Sequence, residues 1–165
     1  MIDETLEAAA RETIAALERA GMVAVTAESC TGGLIAGALT AIAGSSAVLH
    51  GGFVTYANAA KTGMLGVPAA TIAFVGAVSR EVAAAMAAGA RARTGADVAI
   101  SVTGVAGPGG GTAEKPVGTV WFGIDGRGGR SEERMVFAGD RAAIRHATVL
   151  HALAMLTRDA GAAAA

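Results

Sequence analysis

One stretch limits what this chain can fold into more than any other. Met22-Val23-Ala24-Val25 is a short apolar run, and Thr26-Ala-Glu-Ser-Cys-Thr-Gly-Gly33 follows it. Leu34, Ile35, Ala38, Leu39 and Ile42 then recur at helical spacing. The pattern predicts a strand over 22–26, a tight turn at Ser29 and a helix from about 31 to 42. Ser29 would sit beside the free N–H groups of a helix N-terminus. Such groups stabilise a bound anion or a developing oxyanion. Gly32 and Gly33 weaken the helix there, and close approach of a ligand to the backbone would account for them. A helix cap supplied by Ser29 or Thr31 accounts for the same residues.

The rest of the chain repeats the alternation of strand and helix. Leu6, Ala10, Ile14 and Leu17 share a face of a helix over 4–20, with Asp3 as N-cap and Gly21 as stop. Leu49–Tyr56 reads as a strand in which Gly51-Gly52 marks a bulge or a close backbone approach. A short helix over 58–65 carries Lys61, and Ser79 caps a helix over 80–93 in which Gly89 would admit a neighbouring element. Strands are predicted over 97–103 and 117–124, separated by a glycine-rich loop. A Gly-rich hairpin at 125–129 returns antiparallel through 134–137. Asp140 caps a last helix to about 157, and residues 157–165 are expected to fray. These elements imply a three-layer α/β/α sandwich with a mixed, mostly parallel sheet. Its ligands would bind beyond the carboxyl ends of the strands.

Composition narrows the function. At 165 residues, residues 1–165 read as a single domain, with no linker or internal repeat. Hydrophobic residues at 53% exclude a mainly disordered chain, and aromatics at 4% leave the core to aliphatic side chains and closely approaching backbones. A net charge of -1 without a Lys/Arg run argues against a nucleic-acid partner. No run reaches the ~18 apolar residues of a membrane span, so no membrane role is expected. The start, Met-Ile-Asp-Glu, does not resemble a signal peptide, and Cys30 is the single cysteine. A reducing, cytoplasmic setting is expected.

Known signatures are excluded one by one. The glycines of 104–111 precede no Lys-Ser/Thr and open no helix, so they form neither a P-loop nor a dinucleotide fingerprint. Ser29 lacks the flanking glycines of the hydrolase elbow. His50, His146 and His151 have no zinc spacing. What remains is a hydroxyl nucleophile without a His partner. A Lys can serve as its base when burial lowers its pKa. Lys61 and Lys115 are the two lysines, and Lys61 lies in a helix of small and apolar residues. Tyr56 could relay a proton or orient the Lys. A solvated Lys61 and an edge-strand Tyr56 fit the spacing too. The 104–111 loop exposes N–H groups suited to a phosphate, or is simply a flexible connection. Arg141 and Arg145, one helical turn apart, could each hold an anion or pair with a surface Glu.

At these segments the chain closely resembles the CinA C-terminal domain family, whose characterised members are nicotinamide-nucleotide amidohydrolases. The resemblance covers roughly residues 5–157. It rests on Ala27-Glu28-Ser29-Cys30-Thr31-Gly32-Gly33, Gly44-Ser45-Ser46, Thr55-Tyr56 with Lys61, and Leu65-Gly66-Val67. It rests further on Gly76-Ala77-Val78-Ser79, Val102 to Gly110, Lys115 to Val120, and Gly139-Asp140-Arg141 with Arg145. The resemblance implies hydrolysis of the carboxamide of nicotinamide mononucleotide to nicotinate mononucleotide and ammonia. It implies Ser29 as nucleophile, Lys61 as its base and Tyr56 as an assistant. Thr31, Gly32 and Gly33 become oxyanion-hole candidates. Ser46, Thr103, Gly104, Ala106, Gly107, Gly109 and Arg141 are expected to hold the substrate. No metal or organic cofactor is implied. His50 and Phe74-Val75 depart from the family pattern, as does the absence here of the molybdopterin-binding-like domain of longer members. A non-catalytic nucleotide-binding domain and a hydrolase of another small amide are the alternatives. Ala/Gly-rich helices suited to close packing favour a homo-oligomer, a dimer first.

Overall fold

A computed structural model describes residues 2–164. Helix α1 (Glu4–Ala20) starts at Asp3, whose carboxylate accepts the Leu6 N–H at 2.9 Å, and stops at Gly21 in the left-handed region. Strand β1 (Ala24–Glu28) runs through the Ser29 turn into α2 (Leu34–Thr40). A 3-10 turn (Ser45–Ala47) leads to β2 (Leu49–Val54). Three helices follow: α3 (Asn58–Leu65), α4 (Ala69–Val75) and α5 (Arg80–Thr94). Strands β3 (Val98–Gly104), β4 (Thr119–Gly126) and β5 (Gly129–Val136) precede the long helix α6 (Arg141–Ala164).

The five strands form one sheet in the order β2-β1-β3-β4-β5. β1 pairs in parallel with β2 and β3, whereas β4 is antiparallel to both β3 and β5. The sheet is therefore mixed, with two parallel and two antiparallel ladders, and helices cover both faces. Strand alternation sorts the core. Ala24, Val98, Ile100 and Val102 pack with Leu6, Leu17, Leu39 and Leu153, so α1, α2 and α6 share one face. Val25, Ala27 and Ala99 pack with Leu65, Ile72, Val82 and Met86, so α3, α4 and α5 share the other. The same parity carries Glu28 toward α2, where α2 main-chain N–H groups donate to it, and sends the next residue, Ser29, toward α3 and Lys61. The outer strand β5 protects its edge with Arg130, Glu132, Glu133 and Arg134.

Helix α5 lies unusually close to its neighbours. The Ser101 hydroxyl donates to the Ala83 carbonyl at 2.6 Å. A Cβ placed on Gly89 would stand 1.9 Å from the carbonyl oxygen of Leu65. The close approach expected at Gly89 is thus real, and it is backbone against backbone. Gly89→Ala gains about 1 kcal/mol of helix propensity. It must also push α3 away from α5, and overpacking of that kind costs about 1–3 kcal/mol or more. A net fall in melting temperature is expected, checked by thermal denaturation; an unchanged or raised value would mean that α3 moves freely.

The structure moves several expected boundaries. β1 starts and ends two residues later than read, because Val23 leaves the ladder to exchange hydrogen bonds with Asp97. α2 begins at Leu34, not near 31, since Gly32 and Gly33 have φ of 62° and 96°. β2 ends at Val54, before Tyr56, and β4 begins at Thr119, after Gly118 at φ 95°. Helix α4 was not read from the sequence at all. Residues 157–164 are helical where fraying was expected. Asp159 and Ala160 are buried, and Thr157 bonds to Thr13 of α1, which gives that last stretch a packed face. Met1 and Ala165 lie outside the described residues.

Candidate active site

Ser29 is placed by extension of the ladder on both sides of β1. Its N–H donates to Val102 of β3 at 3.0 Å, and the Thr55 N–H donates to the carbonyl of Glu28 at 2.8 Å. These bonds bring the end of β1 level with the turn after β2. That turn starts α3, and Lys61 on its first helical turn points back at Ser29. Lys61 Nζ lies 3.0 Å from Ser29 Oγ, 2.8 Å from the Thr55 carbonyl and 3.4 Å from the Tyr56 carbonyl. Lys61 is 1% exposed and forms no salt bridge among the described residues. Burial pushes its pKa below the ordinary value of 10.5. A neutral amine there can donate two N–H bonds to the two carbonyls and aim its lone pair at Ser29. The solvated surface lysine that also fitted the sequence is ruled out.

Glu28, to which the sequence reading gave no role, anchors the turn. Its fully buried carboxylate accepts from Thr26 Oγ1, Thr31 Oγ1 and the N–H groups of Gly33, Ile35 and Ala36, all between 2.7 and 3.1 Å. The protein thus fills the positive end of α2 with its own anion. This corrects the oxyanion-hole expectation. The Gly33 N–H is taken by Glu28, the Gly32 N–H by the Ser29 carbonyl at 3.1 Å, and the Thr31 hydroxyl by Glu28. Among the described residues, no main-chain acceptor takes the N–H of Cys30 or Thr31. Thr31 is fully buried, whereas Cys30 keeps a slight exposure and can present its N–H beside the nucleophile. Strand parity could have assigned Glu28 to the α2 face, had β1 been read to its true end.

A cavity of about 210 Å³ opens over the dyad. Of the residues expected at a site, Ser29, Tyr56, Lys61, Thr103, Gly104, Ala106 and Arg141 line it. Cys30, Asn58, Ala77 and Val78 complete the wall and had been given no role. Tyr56 joins the dyad through its main-chain carbonyl. The residue is 60% exposed, and its phenol accepts from Arg141 Nη2 at 2.8 Å rather than bonding to the amine. Arg141 also donates to the Gly107 carbonyl at 2.8 Å, which ties the glycine-rich loop to the start of α6. The Thr103 hydroxyl is engaged with the Ala77 carbonyl at 2.8 Å. Gly109 is exposed, a Cβ on it would point into open space, and it does not line the cavity.

Ser46 does not reach the cavity. A parallel β1–β2 pair needs a crossover, so the segment between α2 and β2 lies at the amino edge of the sheet, whereas Ser29 lies at the carboxyl edge. Cys30 is no alternative nucleophile. Its thiol is 5% exposed, and burial pushes its pKa up to about 11. Among the described residues Arg145 does not form the surface ion pair considered for it. It donates to the Thr31 carbonyl at 2.9 Å and so braces the nucleophile turn from α6. Among the described residues no His/Cys/Asp/Glu cluster could hold a metal, and no helix is long and apolar enough to cross a membrane.

Comparison with known proteins agrees with this architecture. The CinA C-terminal domain model matches residues 6–160. A protein of Enterobacter agglomerans named nicotinamide-nucleotide amidohydrolase PncC is 51% identical over 160 residues, covering 96% of this chain and 98% of that protein. A CinA-like protein of Citrifermentans bemidjiense is 56% identical over 142 residues. That match covers 86% of this chain but 34% of the relative, so the chain spans about a third of that longer protein. The crystal structure of the competence/damage inducible protein CihA from Agrobacterium tumefaciens superposes with a TM-score of 0.93 at 51% identity, covering 96% of this chain and 98% of that one. The matched region carries the Ser29 turn, Lys61 and the glycine-rich loop together, and the chain belongs to the CinA C-terminal domain family.

Proposed function

We propose that this chain hydrolyses the carboxamide of nicotinamide mononucleotide to nicotinate mononucleotide and ammonia. The observation that carries the reading is the buried Lys61 amine, 3.0 Å from Ser29 Oγ and held by two main-chain carbonyls. A protein that only binds a nucleotide has no use for a desolvated base beside a serine. The match to a similarly sized amidohydrolase supports the choice of substrate.

In the proposed reaction neutral Lys61 takes the Ser29 proton as Oγ attacks the amide carbon. The N–H of Cys30 stabilises the tetrahedral oxyanion. The Lys61 ammonium returns the proton to the departing nitrogen, the C–N bond breaks and ammonia leaves. A water that Lys61 deprotonates attacks the remaining acyl ester, the ester C–O bond breaks, and Lys61 returns the proton to Ser29 Oγ. Arg141 retains N–H donors beyond its two contacts and lies at the rim, where it can pair with the substrate phosphate. Tyr56 positions that guanidinium. No step needs a metal or an organic cofactor.

The test is ammonia release by the purified chain from nicotinamide mononucleotide and from free nicotinamide. Release from the mononucleotide alone is the expected result. Equal turnover of both would remove the phosphate from the recognition scheme. Thermal stabilisation by the mononucleotide without any ammonia would establish the non-catalytic binding domain instead.

A further inference from the structure

The motif Lys115-Pro116-Val117-Gly118 has no part in the chemistry above, yet Lys115 makes a long-range contact near the cavity. Its Nζ donates to the carbonyl of Val75, the last residue of α4, at 2.7 Å. Lys115 forms no salt bridge among the described residues, so this carbonyl, rather than a carboxylate, fixes the ammonium. A cation at the end of a helix is also favoured by the helix dipole. Gly76 fits the contact, because a Cβ there would stand 3.1 Å from Lys115 Nζ, and its φ is 82°.

The segment that follows forms part of the cavity wall. The Gly76 carbonyl accepts from Ser79 Oγ at 2.9 Å, and the Ala77 carbonyl from Thr103 Oγ1 at 2.8 Å. Ala77 and Val78 line the cavity. At the other end, Lys115 is presented by a tight turn. The Thr112 N–H donates to the Lys115 carbonyl at 2.9 Å, and the Lys115 N–H to Thr112 Oγ1 at 3.0 Å. The glycine-rich loop is therefore fastened by three side chains: Arg141 of α6 at Gly107, Arg134 of β5 at Glu114, and its own Lys115 on the end of α4.

We propose that Lys115 is a positioning residue for substrate binding. By latching the glycine-rich loop to the end of α4 it holds Ala77 and Val78 in place and sets affinity, while the Ser29–Lys61 step is left intact. The choice of substrate rests on the amidohydrolase reading; the latch itself does not.

Two measurements separate the latch from that reading. Hydrogen exchange of the unliganded protein is compared between the parent, Lys115→Met and Lys115→Arg. In Lys115→Met, amides of the 105–118 loop are expected to exchange about tenfold faster, with the sheet strands unchanged and Lys115→Arg close to the parent. Steady-state ammonia release then divides binding from chemistry. In Lys115→Met, KM for nicotinamide mononucleotide is expected to rise about tenfold, with kcat within about threefold of the parent, and Lys115→Arg is expected to recover most of the loss. Parental loop exchange in Lys115→Met overturns the latch whatever the activity. A loosened loop with parental KM, or a loss confined to kcat, overturns its role in binding. A parent that releases no ammonia defeats the amidohydrolase reading; the exchange result then decides the latch alone, and the calorimetric affinity for the mononucleotide decides its role in binding.

Discussion

Lys61→Met will lower kcat/KM for ammonia release by about 10³-fold, within the range that general acid–base groups contribute. Met keeps the buried aliphatic stem and removes only the amine, so the loss reports proton transfer more than packing. Lys61→Arg will not restore activity, because a guanidinium stays protonated at any working pH. The pH profile carries the sharper test. Burial lowers the Lys61 pKa below 10.5, and the base must be neutral to act. In the parent, kcat/KM therefore rises with pH through that depressed value and then levels. The residual activity of Lys61→Met should lack this rise. Stability follows the same titration. Between the depressed folded pKa and 10.5, the unfolded chain binds a proton that the folded chain does not. The parent thus gains stability with increasing pH over that window, and below it the burial penalty is fully present. Melting curves of parent and Lys61→Met should differ in slope across this window. A variant with parental activity, or one with the parental pH profile, would remove Lys61 from the mechanism.

Glu28→Gln will be destabilised more than its conservative chemistry suggests. All five partners of the carboxylate can donate. An amide offers one oxygen where the carboxylate has two. Put in place of Oε2, the NH2 group faces the N–H groups of Gly33 and Ile35; put in place of Oε1, it faces that of Ala36. The milder orientation still sets a donor against a donor in a fully buried site. Bonds to charged groups and orphaned buried donors are each worth about 1–3 kcal/mol, so a loss of about 3 kcal/mol is expected. That corresponds to a melting temperature about 10 °C lower in a chain of this size. Activity of the folded fraction should fall as well, because Thr31 and the start of α2 hold the turn that carries Ser29. A thermal melt beside a kcat measurement checks both, and a parental melting temperature would show that the site tolerates an inward-facing amide.

Local chemistry made much of this fold legible. Asp3, Ser79 and Asp140 each cap a helix by accepting from the backbone N–H three residues on. Such bonds depend only on neighbouring residues. Gly52 and Gly89 do sit at close approaches, although their neighbours are distant in sequence. A Cβ on Gly52 would stand 2.4 Å from Thr26 Oγ1, as one on Gly89 would meet Leu65. Helix α4 is not legible in the sequence because Ala69–Val75 offers one buried residue, Ile72, and no capping side chain. Packing against α3 and α5 makes it a helix, and packing is not a local property. Ser46 was misplaced for a similar reason. Its segment looks like a ligand loop until the parallel crossover sends it to the other edge of the sheet.

The sequence alone determined the order of the strands and of every helix but α4, most of the caps and turns that bound them, and the presence of a serine at the end of the first strand. It could not decide what surrounds that serine. Lys61 is as ordinary in sequence as any surface lysine, and its lowered pKa arises from desolvation, which exists only once α3, β1 and β2 have closed around it. The N-terminus of α2 was equally open to a substrate anion or to an internal one. Only the folded chain, by turning Glu28 toward α2 and Ser29 toward Lys61, allotted the helix end to the carboxylate and the nucleophile to the amine.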